Sequence, residues 1–351
     1  MASCGYNRRG MLVSDLDDAS DASADGLEPL VQVEPLEALQ ARFGNKARAY
    51  RDAGRSQGTR RVYQSAFALF RTWCEQHQAS PLPADPRTVA FYMTDVATRY
   101  RATTLDLHLA AIAYAHRAAG LPIPTTHQAV REVRTGLRRT HGAAARGKAA
   151  LMTDDLRRVV GLLDHTPVGL RDRALLLLGF AGAFRRSELV SLDVDDLGFT
   201  PQGIRVDLRR PKTDQVAEGR PVGIPYGASA ETCPVRAVER WLAHVRSVVP
   251  GYDDGPLFLR LDAGGRLRLA RLSDRGVARV VQRCAERAGL DPARFAGHSL
   301  RAGLATSAAA GGVSERSIMN QTGHRSLTMV RRYIRDGELF RDDNAARGAG
   351  L

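Results

Sequence analysis

Apolar residues recur at intervals of three and four between Thr59 and Leu137, and this periodicity constrains the fold more than any other feature of the sequence. The first apolar stripe contains Val62, Ala66, Leu69, Phe70 and Trp73. Three more follow, one after Pro86 through Val96, one from Leu105 to His116 ahead of Gly120, and one with Val130, Val133 and Leu137. A proline suits a first helical turn, and a glycine suits a helix C-terminus. Four amphipathic helices without strand-like alternation predict a compact helical domain over residues 46–140.

A change of composition separates this domain from the rest of the chain. Residues 141–151 are mostly small and carry little apolar bulk, which predicts a linker. The sequence Thr153-Asp-Asp-Leu then gives a helix N-cap signature. A second domain is therefore predicted over residues 152–342, followed by a short C-terminal tail over residues 343–351.

The second domain mixes helical and strand-like patterns. Helices are predicted over residues 171–183 and 233–247 and again from residue 273 onward. Residues 204–209 and 220–225 alternate like two strands, which predicts a small hairpin with Lys212 near its tip. The predicted fold class is mainly α, with a helical N-terminal domain followed by an α+β domain that carries a small antiparallel sheet.

The charge distribution points to a polyanionic partner. Residues 1–45 carry eight acidic residues against three arginines, and we expect most of this segment to be disordered, with a short helix near residues 36–43. The whole chain has a formal net charge of +13, and outside this segment it carries 48 basic and 30 acidic residues. Nucleic acid is the first candidate for a partner of such a surface, and a basic surface without that role is the simpler alternative.

Other classes of protein fit the sequence poorly. No apolar run approaches the roughly 20 residues of a membrane helix, and no secretory leader opens the chain, so a protein of the bacterial cytoplasm without membrane contact is expected. The four cysteines are far apart and form no CxxC pair, which argues against a zinc site and a disulfide framework. Lysine occurs only at Lys46, Lys148 and Lys212.

Four local clusters in the second domain could carry chemistry. They are Arg185 with Glu188, Lys212 in the hairpin, His298 with Arg301 on one helix face, and His324 followed nine residues later by Tyr333. Each has a simpler structural reading: a helix ion pair, a solvated lysine, hydrogen-bonded structural histidines, and a half-buried aromatic ring. Tyr333 is nevertheless the only tyrosine after Tyr252.

Together the four clusters match the needs of phosphodiester cleavage. That reaction requires a nucleophile, positive charge on the non-bridging oxygens, and a proton for the leaving oxygen. Arginines bind phosphate by paired hydrogen bonds, lysine can give up a proton, and histidine can help to deprotonate a phenol with an unperturbed pKa near 10. Neither His298 nor His324 has an acidic cluster nearby in the sequence, so a metal-independent route is expected and no cofactor is predicted.

The ordered set Arg, Glu, Lys, His-x-x-Arg, Gly-His and Tyr resembles the tyrosine recombinase (phage integrase) family. The C-terminal motifs Gly-His-Ser-Leu-Arg-Ala-Gly, Ala-Gly-Gly-Val-Ser and Tyr-Ile-Arg look like those of its Cre-like members. The resemblance covers residues 55–342 and is strongest at the C-terminal end. It implies that residues 46–140 form a core-binding, SAM-like DNA-binding domain and that residues 152–342 form the catalytic domain.

The resemblance also implies roles for the site residues. Arg185 and Arg301 would hold the phosphate, Tyr333 would be the nucleophile, Lys212 the general acid, His298 a base or hydrogen-bond partner, His324 a donor to the phosphate, and Glu188 a supporting residue. Arg186 is adjacent to Arg185 and could be mistaken for the phosphate-binding arginine, but the spacing of Arg-x-Ser-Glu-Leu favours Arg185 for that role. The implied reaction makes a 3′-phosphotyrosyl bond and a free 5′-hydroxyl without metal or ATP.

The family further implies a C-shaped clamp around double-stranded DNA with inverted-repeat target sites. Two protomers would occupy each site, two sites would synapse as a homotetramer, and an accessory directionality protein is a candidate further partner. Residues 338–341 are predicted to form a helix that packs on a neighbouring protomer or else closes its own domain. The sequence does not reveal the DNA target site. It also does not distinguish integration, excision, dimer resolution and cassette movement as the biological task.

Three alternatives compete with this interpretation. A type IB topoisomerase would use related chemistry to relax DNA, but the separate helical domain and the Cre-like C-terminal motifs argue against it. A DNA-binding protein without catalysis is disfavoured because every expected catalytic position is occupied. A basic RNA-binding protein lacks an aromatic-rich recognition motif in this sequence.

Overall fold

The computed structural model describes residues 34–54, 57–142, 148–209, 219–324 and 326–338. The chain divides into two compact units between Gly54 and Arg55. In the first unit, helix α1 spans Leu36–Ala53. It includes the short helix predicted near residues 36–43 and extends it, so the last residues of the predicted N-terminal tail are helical. The rest of that tail, residues 1–33, lies outside the described residues, as do residues 339–351 with the end of the predicted C-terminal helix.

The second unit begins with four helices that confirm the apolar periodicity of the sequence. They are α2 (Gln57–Gln76), α3 (Pro86–Val96), α4 (Ala102–Ala118) and α5 (Gln128–His141). The Asp85 carboxylate accepts a hydrogen bond from the Arg87 backbone N–H at 2.7 Å and caps α3, whose first residue is Pro86. Phe70, Tyr92 and Ile112 are buried in an apolar cluster that these helices share.

The predicted linker is tied to the second domain at its C-terminal end. The Ala149 N–H donates to the Arg294 carbonyl at 2.7 Å, and the Leu151 N–H donates to the Ser299 carbonyl at 3.0 Å. The next helix begins at Thr153, which is its first helical residue and not its N-cap as predicted. The Thr153 N–H donates to the Ser307 hydroxyl at 3.2 Å. A residue distant in sequence therefore satisfies a backbone group that a local N-cap would otherwise satisfy.

Eight helices build the remainder of the described chain. They are α6 (Thr153–Gly161), α7 (Pro167–Ala181), α8 (Arg186–Ser191), α9 (Pro234–Val248), α10 (Asp274–Arg287), α11 (His298–Ala310), α12 (Glu315–Thr322) and α13 (Leu327–Glu338). Helix α7 starts four residues before the predicted position because Thr166 caps it and Pro167 opens it.

Two small antiparallel sheets accompany these helices. Strands β1 (Leu197–Thr200), β2 (Gly203–Leu208) and β3 (Arg220–Pro225) form the first sheet in that order. Leu208 pairs with Arg220 in the hairpin of β2 and β3, which confirms the predicted hairpin. Strands β4 (Leu259–Leu261) and β5 (Leu267–Arg271) form the second sheet. The sequence analysis did not predict β1, β4 or β5.

Two separate apolar clusters hold the second domain together. The main cluster joins α6–α11 and the first sheet around the fully buried Trp241, whose indole N–H donates to the Leu257 carbonyl at 2.8 Å. A much smaller cluster of Ala305, Ala309, Ile318, Val330 and Ile334 joins α11 to α12 and α13. Helix α11 therefore belongs to both clusters, and none of the described side chains of α12 and α13 belongs to the main cluster. In the described part of the chain no helix is long and apolar enough to cross a bilayer.

Candidate active site

Arg185 stands at the N-terminus of α8, where a positive charge opposes the helix dipole. Glu188, one turn into the helix, offsets this cost. Its carboxylate accepts a hydrogen bond from the Arg185 backbone N–H at 2.7 Å and another from the Arg185 guanidinium at 2.5 Å. The pair leaves about half of the arginine side chain exposed. Glu188 therefore fixes the direction of Arg185 and keeps it accessible to an anion.

The neighbouring Arg186 points to a different partner. Its Nε lies 3.6 Å from a carboxylate oxygen of Asp274 on α10. Arg185, by contrast, lies close enough to Arg301 for its charge to lower the pKa of Arg301. The structure thus brings Arg185 to the other candidate residues, as the Arg-x-Ser-Glu-Leu spacing predicted.

The turn between α7 and α8 uses a conformation that is rare for alanine. Ala183 is fully buried and has φ = +48°, in the left-handed region. Its carbonyl accepts a hydrogen bond from Nη1 of Arg301 at 2.7 Å. Backbone strain of this kind persists where the surrounding structure requires it. Here it aims a carbonyl at the second arginine of the candidate site.

Arg301 is a buried cation that forms no ion pair among the described residues. The residue is 1% exposed, and its Nη2 has no hydrogen-bond partner among the described residues. Burial, together with the charge of Arg185, lowers the pKa of Arg301 to about 10. Burying a charged group without an opposite charge is costly, and stable proteins pair such groups. An anion that entered the site would satisfy both the charge and the free N–H groups.

His298 and Tyr333 form the contact at the centre of the site. The His298 Nε2 lies 2.8 Å from the Tyr333 Oη, so helix α11 and helix α13 meet at this hydrogen bond. Desolvation lowers the pKa of His298, and the charges of Arg301 and Arg185 lower it further. A neutral imidazole offers Nε2 as an acceptor for the phenolic proton. The pair has the arrangement of a nucleophile and its base.

His324 follows the end of α12, and its ring stacks near Tyr333 with centroids 5.9 Å apart. Its Nδ1 lies 2.8 Å from the hydroxyl of the buried Thr322, which itself donates to the Ile318 carbonyl at 2.7 Å. A hydroxyl has one proton, so Thr322 must accept a hydrogen bond from Nδ1–H. Burial, followed by the charges of Arg301 and Arg185, lowers the pKa of His324 to about 4. The neutral ring then carries its proton on Nδ1, and Nε2 holds a lone pair.

Two further residues border the site, and the sequence analysis missed both. Arg220 begins strand β3, and Gln321 lies in the last turn of α12. The charge of Arg220 acts on both Arg301 and His324. Neither residue belongs to a short motif, and one arginine is inconspicuous in a chain so rich in arginine. Only the fold shows where they lie.

Lys212, the predicted general acid, lies outside the described residues. The two strands on either side of it in the sequence end at Leu208 and begin again at Arg220.

The described residues contain one cluster of three carboxylates, Asp193, Asp195 and Asp196. Arg209 forms ion pairs with all three, and Arg271 pairs with Asp193. The cluster is thus an arginine-neutralised network that anchors the residue after β2. It supplies no separate reason to expect a metal.

The family model described as the phage integrase family matches residues 150–338. That span holds every candidate residue and more than half of the chain. The chain belongs to the phage integrase family. As a family member it is a tyrosine recombinase. The family and the fold class predicted from the sequence are both confirmed.

Relatives cover most of this integrase-family chain. It is 39% identical over 306 residues to the integrase/recombinase xerD homolog of Selenomonas ruminantium, covering 86% of this chain and 88% of the relative. It is 27% identical over 301 residues to the recombinase cre of Escherichia phage P1, covering 80% and 84%.

Solved structures of the family share the fold. XerH site-specific recombinase bound to palindromic difH substrate, in a post-cleavage complex, has a TM-score of 0.56 at 17% identity and covers 76% of this chain and 72% of that one. A lambda integrase dimer bound to a COC′ core site has a TM-score of 0.54 at 16% identity and covers 88% and 79%.

Proposed function

We propose that this integrase-family member is a site-specific DNA recombinase that cleaves and rejoins strands through a covalent bond to Tyr333. The observation that supports it most strongly is the 2.8 Å contact between Tyr333 Oη and His298 Nε2, beside the buried, unpaired cation of Arg301. A phenol on a neutral base beside a buried guanidinium is suited to attack on a phosphodiester.

In the cleavage step, Tyr333 Oη forms a bond to phosphorus while the bond from phosphorus to the 5′-oxygen breaks. The phenolic proton passes to His298, and the leaving oxygen takes a proton from Lys212. A 5′-hydroxyl of the partner strand then attacks the phosphotyrosine and returns Tyr333 as a phenol. Each step exchanges one phosphoester for another, so the bond energy is retained and neither ATP nor a metal is needed.

The phosphate is held by the two arginines of the site. Arg301 offers the unpaired Nη2, and Arg185 offers an exposed guanidinium whose direction Glu188 fixes. Two planar guanidinium groups can bind the non-bridging oxygens and stabilise the charge that develops on them. His324 donates a further hydrogen bond to the same oxygens once Nε2 takes up a proton in the complex.

Double-stranded DNA is the proposed substrate, with the helical domain (residues 46–140) and the catalytic domain (residues 152–342) binding it together. Support comes from the relatives, since XerH was solved with a palindromic substrate and lambda integrase as a dimer on a core site. We infer inverted-repeat sites with two protomers each, a tetramer at synapsis, and an accessory directionality protein as a further candidate partner.

Covalent trapping tests this function. A duplex selected from a random-sequence pool for binding to the protein, and nicked near the cleavage position, should accumulate a protein–DNA adduct. Tyr333→Phe should abolish the adduct because it removes the attacking oxygen, while it leaves DNA binding within a few-fold of wild type. An adduct that survives in Tyr333→Phe would rule out Tyr333 as the nucleophile.

A second assay separates recombination from topoisomerase activity. Two duplexes that carry the selected site should exchange strands, and a supercoiled plasmid without the site should stay supercoiled. Relaxation of that plasmid with no strand exchange would contradict the recombinase assignment while leaving the tyrosine chemistry intact.

A further inference from the structure

Helix α12 ends just before His324, helix α13 carries Tyr333, and both helices pack on α11 in the small apolar cluster. Their buried side chains, Ile318, Val330 and Ile334, pack with Ala305 and Ala309 of α11 in the small cluster. The arginines of the site are fixed elsewhere, by α8, by the start of α11 and by the main core. This packing ties α13 to Arg301 through α11, and contacts at the end of α12 add a second link between His324 and the elements that hold the arginines.

Arg220 provides one such contact at the end of α12. Its Nη1 donates to the carbonyls of Asn320 and Gln321, each at 3.2 Å. Both carbonyls belong to the last turn of the helix, where backbone acceptors lack intrahelical partners and the dipole favours a cation. Arg220 thus links the first residue of β3 to the C-terminus of α12.

Gly323 is shaped to accept this arginine. It ends α12 with φ = +65°, and its N–H returns to the Met319 carbonyl at 2.7 Å. A Cβ at this position would lie 2.5 Å from Nε of Arg220, so any side chain there would displace the guanidinium. The guanidinium therefore packs directly on the backbone of the residue before His324.

Gln321 joins the same end of α12 to two further segments. Its Nε2 donates to the Ala181 carbonyl at 2.7 Å and to the Gly223 carbonyl at 3.2 Å. Ala181 is the last residue of α7, two residues before the strained Ala183 that holds Arg301. One amide therefore connects the turn that aims Arg301, the strand β3 and the helix that ends at His324.

We propose that Arg220 and Gln321 are positioning residues of the strand-transfer reaction, which lock the end of α12 onto β3 and α7 and so set His324 and Tyr333 against the arginine-bound phosphate. This inference rests on the proposed function. It concerns residues that act through others, since neither is placed on the phosphate itself.

The geometry favours positioning over a direct phosphate contact for Arg220. Its Nη1 is already engaged by two carbonyls, and Nε and Nη2 lie against Gly323. Nη2 lies 3.1 Å from where a Cβ of Gly323 would stand, so it packs on that backbone rather than facing the two arginines' side of the site, and the salt dependence of Arg220→Ala tests whether it also reaches a phosphate. By contrast, Arg185 is about half exposed and can meet a phosphate without moving.

The test measures adduct formation on the selected, nicked duplex for Arg220→Ala and Gln321→Ala. At saturating DNA the rate should fall by on the order of 100-fold for Arg220→Ala, because a displacement of about 1 Å of reacting groups costs that much. The DNA concentration that gives half the maximal rate should change by less than about 3-fold, since positioning alters the chemical step and not phosphate binding. Gln321→Ala should show the same pattern.

Arg287→Ala is the matched control. Arg287 also donates from its guanidinium to a carbonyl at a helix C-terminus, that of Leu162 after α6, at 3.1 Å. The Arg287→Ala substitution removes the same charge and the same type of contact as Arg220→Ala but leaves α12 unchanged. The rate of adduct formation by Arg287→Ala should stay within about 2-fold of wild type, because a substitution at the surface away from the site changes stability by only about 0.5 kcal/mol.

The double variant Arg220→Ala/Gln321→Ala gives an independent reading. If both residues act through the end of α12, their effects on the rate should be less than additive. Wild-type rates in either single variant would overturn the proposal. So would a large loss of DNA affinity with a salt slope reduced by about one in Arg220→Ala, which marks a lost phosphate contact.

Failure of this inference is distinguishable from failure of the proposed function. Wild-type protein that forms an adduct, together with Tyr333→Phe that forms none, upholds the function whatever the two positioning variants do. If Arg220→Ala does not fold, as judged by its thermal melt, Gln321→Ala carries the test by itself, because it removes only a surface-accessible amide.

Discussion

His324 is the residue whose protonation state the structure defines most closely. Thr322 holds a proton on Nδ1, and the low pKa of about 4 leaves Nε2 with a lone pair at neutral pH. The proposed role, donation to the phosphate, requires a proton on Nε2. A phosphate would oppose the positive charges of Arg301, Arg185 and Arg220 that hold the pKa down, and would raise it.

We therefore predict that the protein takes up a proton at His324 when it binds its selected DNA site. A group whose pKa is raised in the complex strengthens binding at low pH and loses that contribution as the pH rises through the bound-state value. Calorimetry at about pH 6, in two buffers of different ionisation enthalpy, measures the uptake. The Tyr333→Phe background prevents chemistry during the titration.

Substitution separates His324 from the other histidine of the site. His324→Gln should remove the uptake, whereas His298→Gln should keep it, since only His324 is assigned a hydrogen bond to the phosphate. Equal uptake in wild type and His324→Gln would show that the proton binds elsewhere.

At the scale of single residues, the sequence predicted the side chains that the structure brings together, with Glu188 beside Arg185, but not the other groups that hold them. Arg185, His298, Arg301 and Tyr333 lie together as their order along the chain indicated. Thr322 could not be predicted, because its role depends on the direction of one hydroxyl proton. The aim of Arg301 likewise depends on a backbone carbonyl, and no side-chain pattern encodes a carbonyl.

Among the elements, α11 is the one whose placement matters most, because it carries His298 and Arg301 and packs in both apolar clusters. It passes unusually close to the end of the linker at Gly303. A Cβ there would lie 2.0 Å from the Leu151 carbonyl oxygen, a backbone atom that cannot turn away. Only glycine allows this approach.

We predict that Gly303→Ala destabilises the protein although alanine favours helices. Overpacking against the backbone costs about 1–3 kcal/mol, which outweighs a helix-propensity gain of about 1 kcal/mol. The matched control is Gly136→Ala in α5, where nothing lies within 4 Å of the new Cβ, and it should be stabilising. Urea unfolding of both variants measures the two free energies, and a stabilised Gly303→Ala would contradict the close approach.

The same elements show how far a pattern can define an architecture. Helices α3 and α9 and the hairpin of β2 and β3 match their predicted positions because caps, prolines and alternation are local signals. Strands β4 and β5 were not predicted; they are only three and five residues long, and most residues of β5 are exposed, so they add little to the apolar pattern of the chain.

On the scale of the whole molecule, an acidic N-terminal segment precedes a basic remainder of the chain. Residues 1–33 carry six acidic residues and two arginines in a chain whose formal net charge is +13. An acidic segment tethered to a basic DNA-binding protein repels the DNA phosphates and offers competing anions to the same arginines. Both effects are electrostatic and are screened by salt.

Removal of residues 1–33 should therefore tighten DNA binding at low salt, and the gain should shrink as salt rises. The screening length falls from about 30 Å at 0.01 M to about 10 Å at 0.1 M, so the difference should be largest in the lower range. Binding isotherms over this range compare the shortened protein with the full chain. A full-length variant with the six acidic residues changed to their amides separates charge from length: it should behave like the shortened protein, and wild-type affinity in this variant would refute the electrostatic explanation.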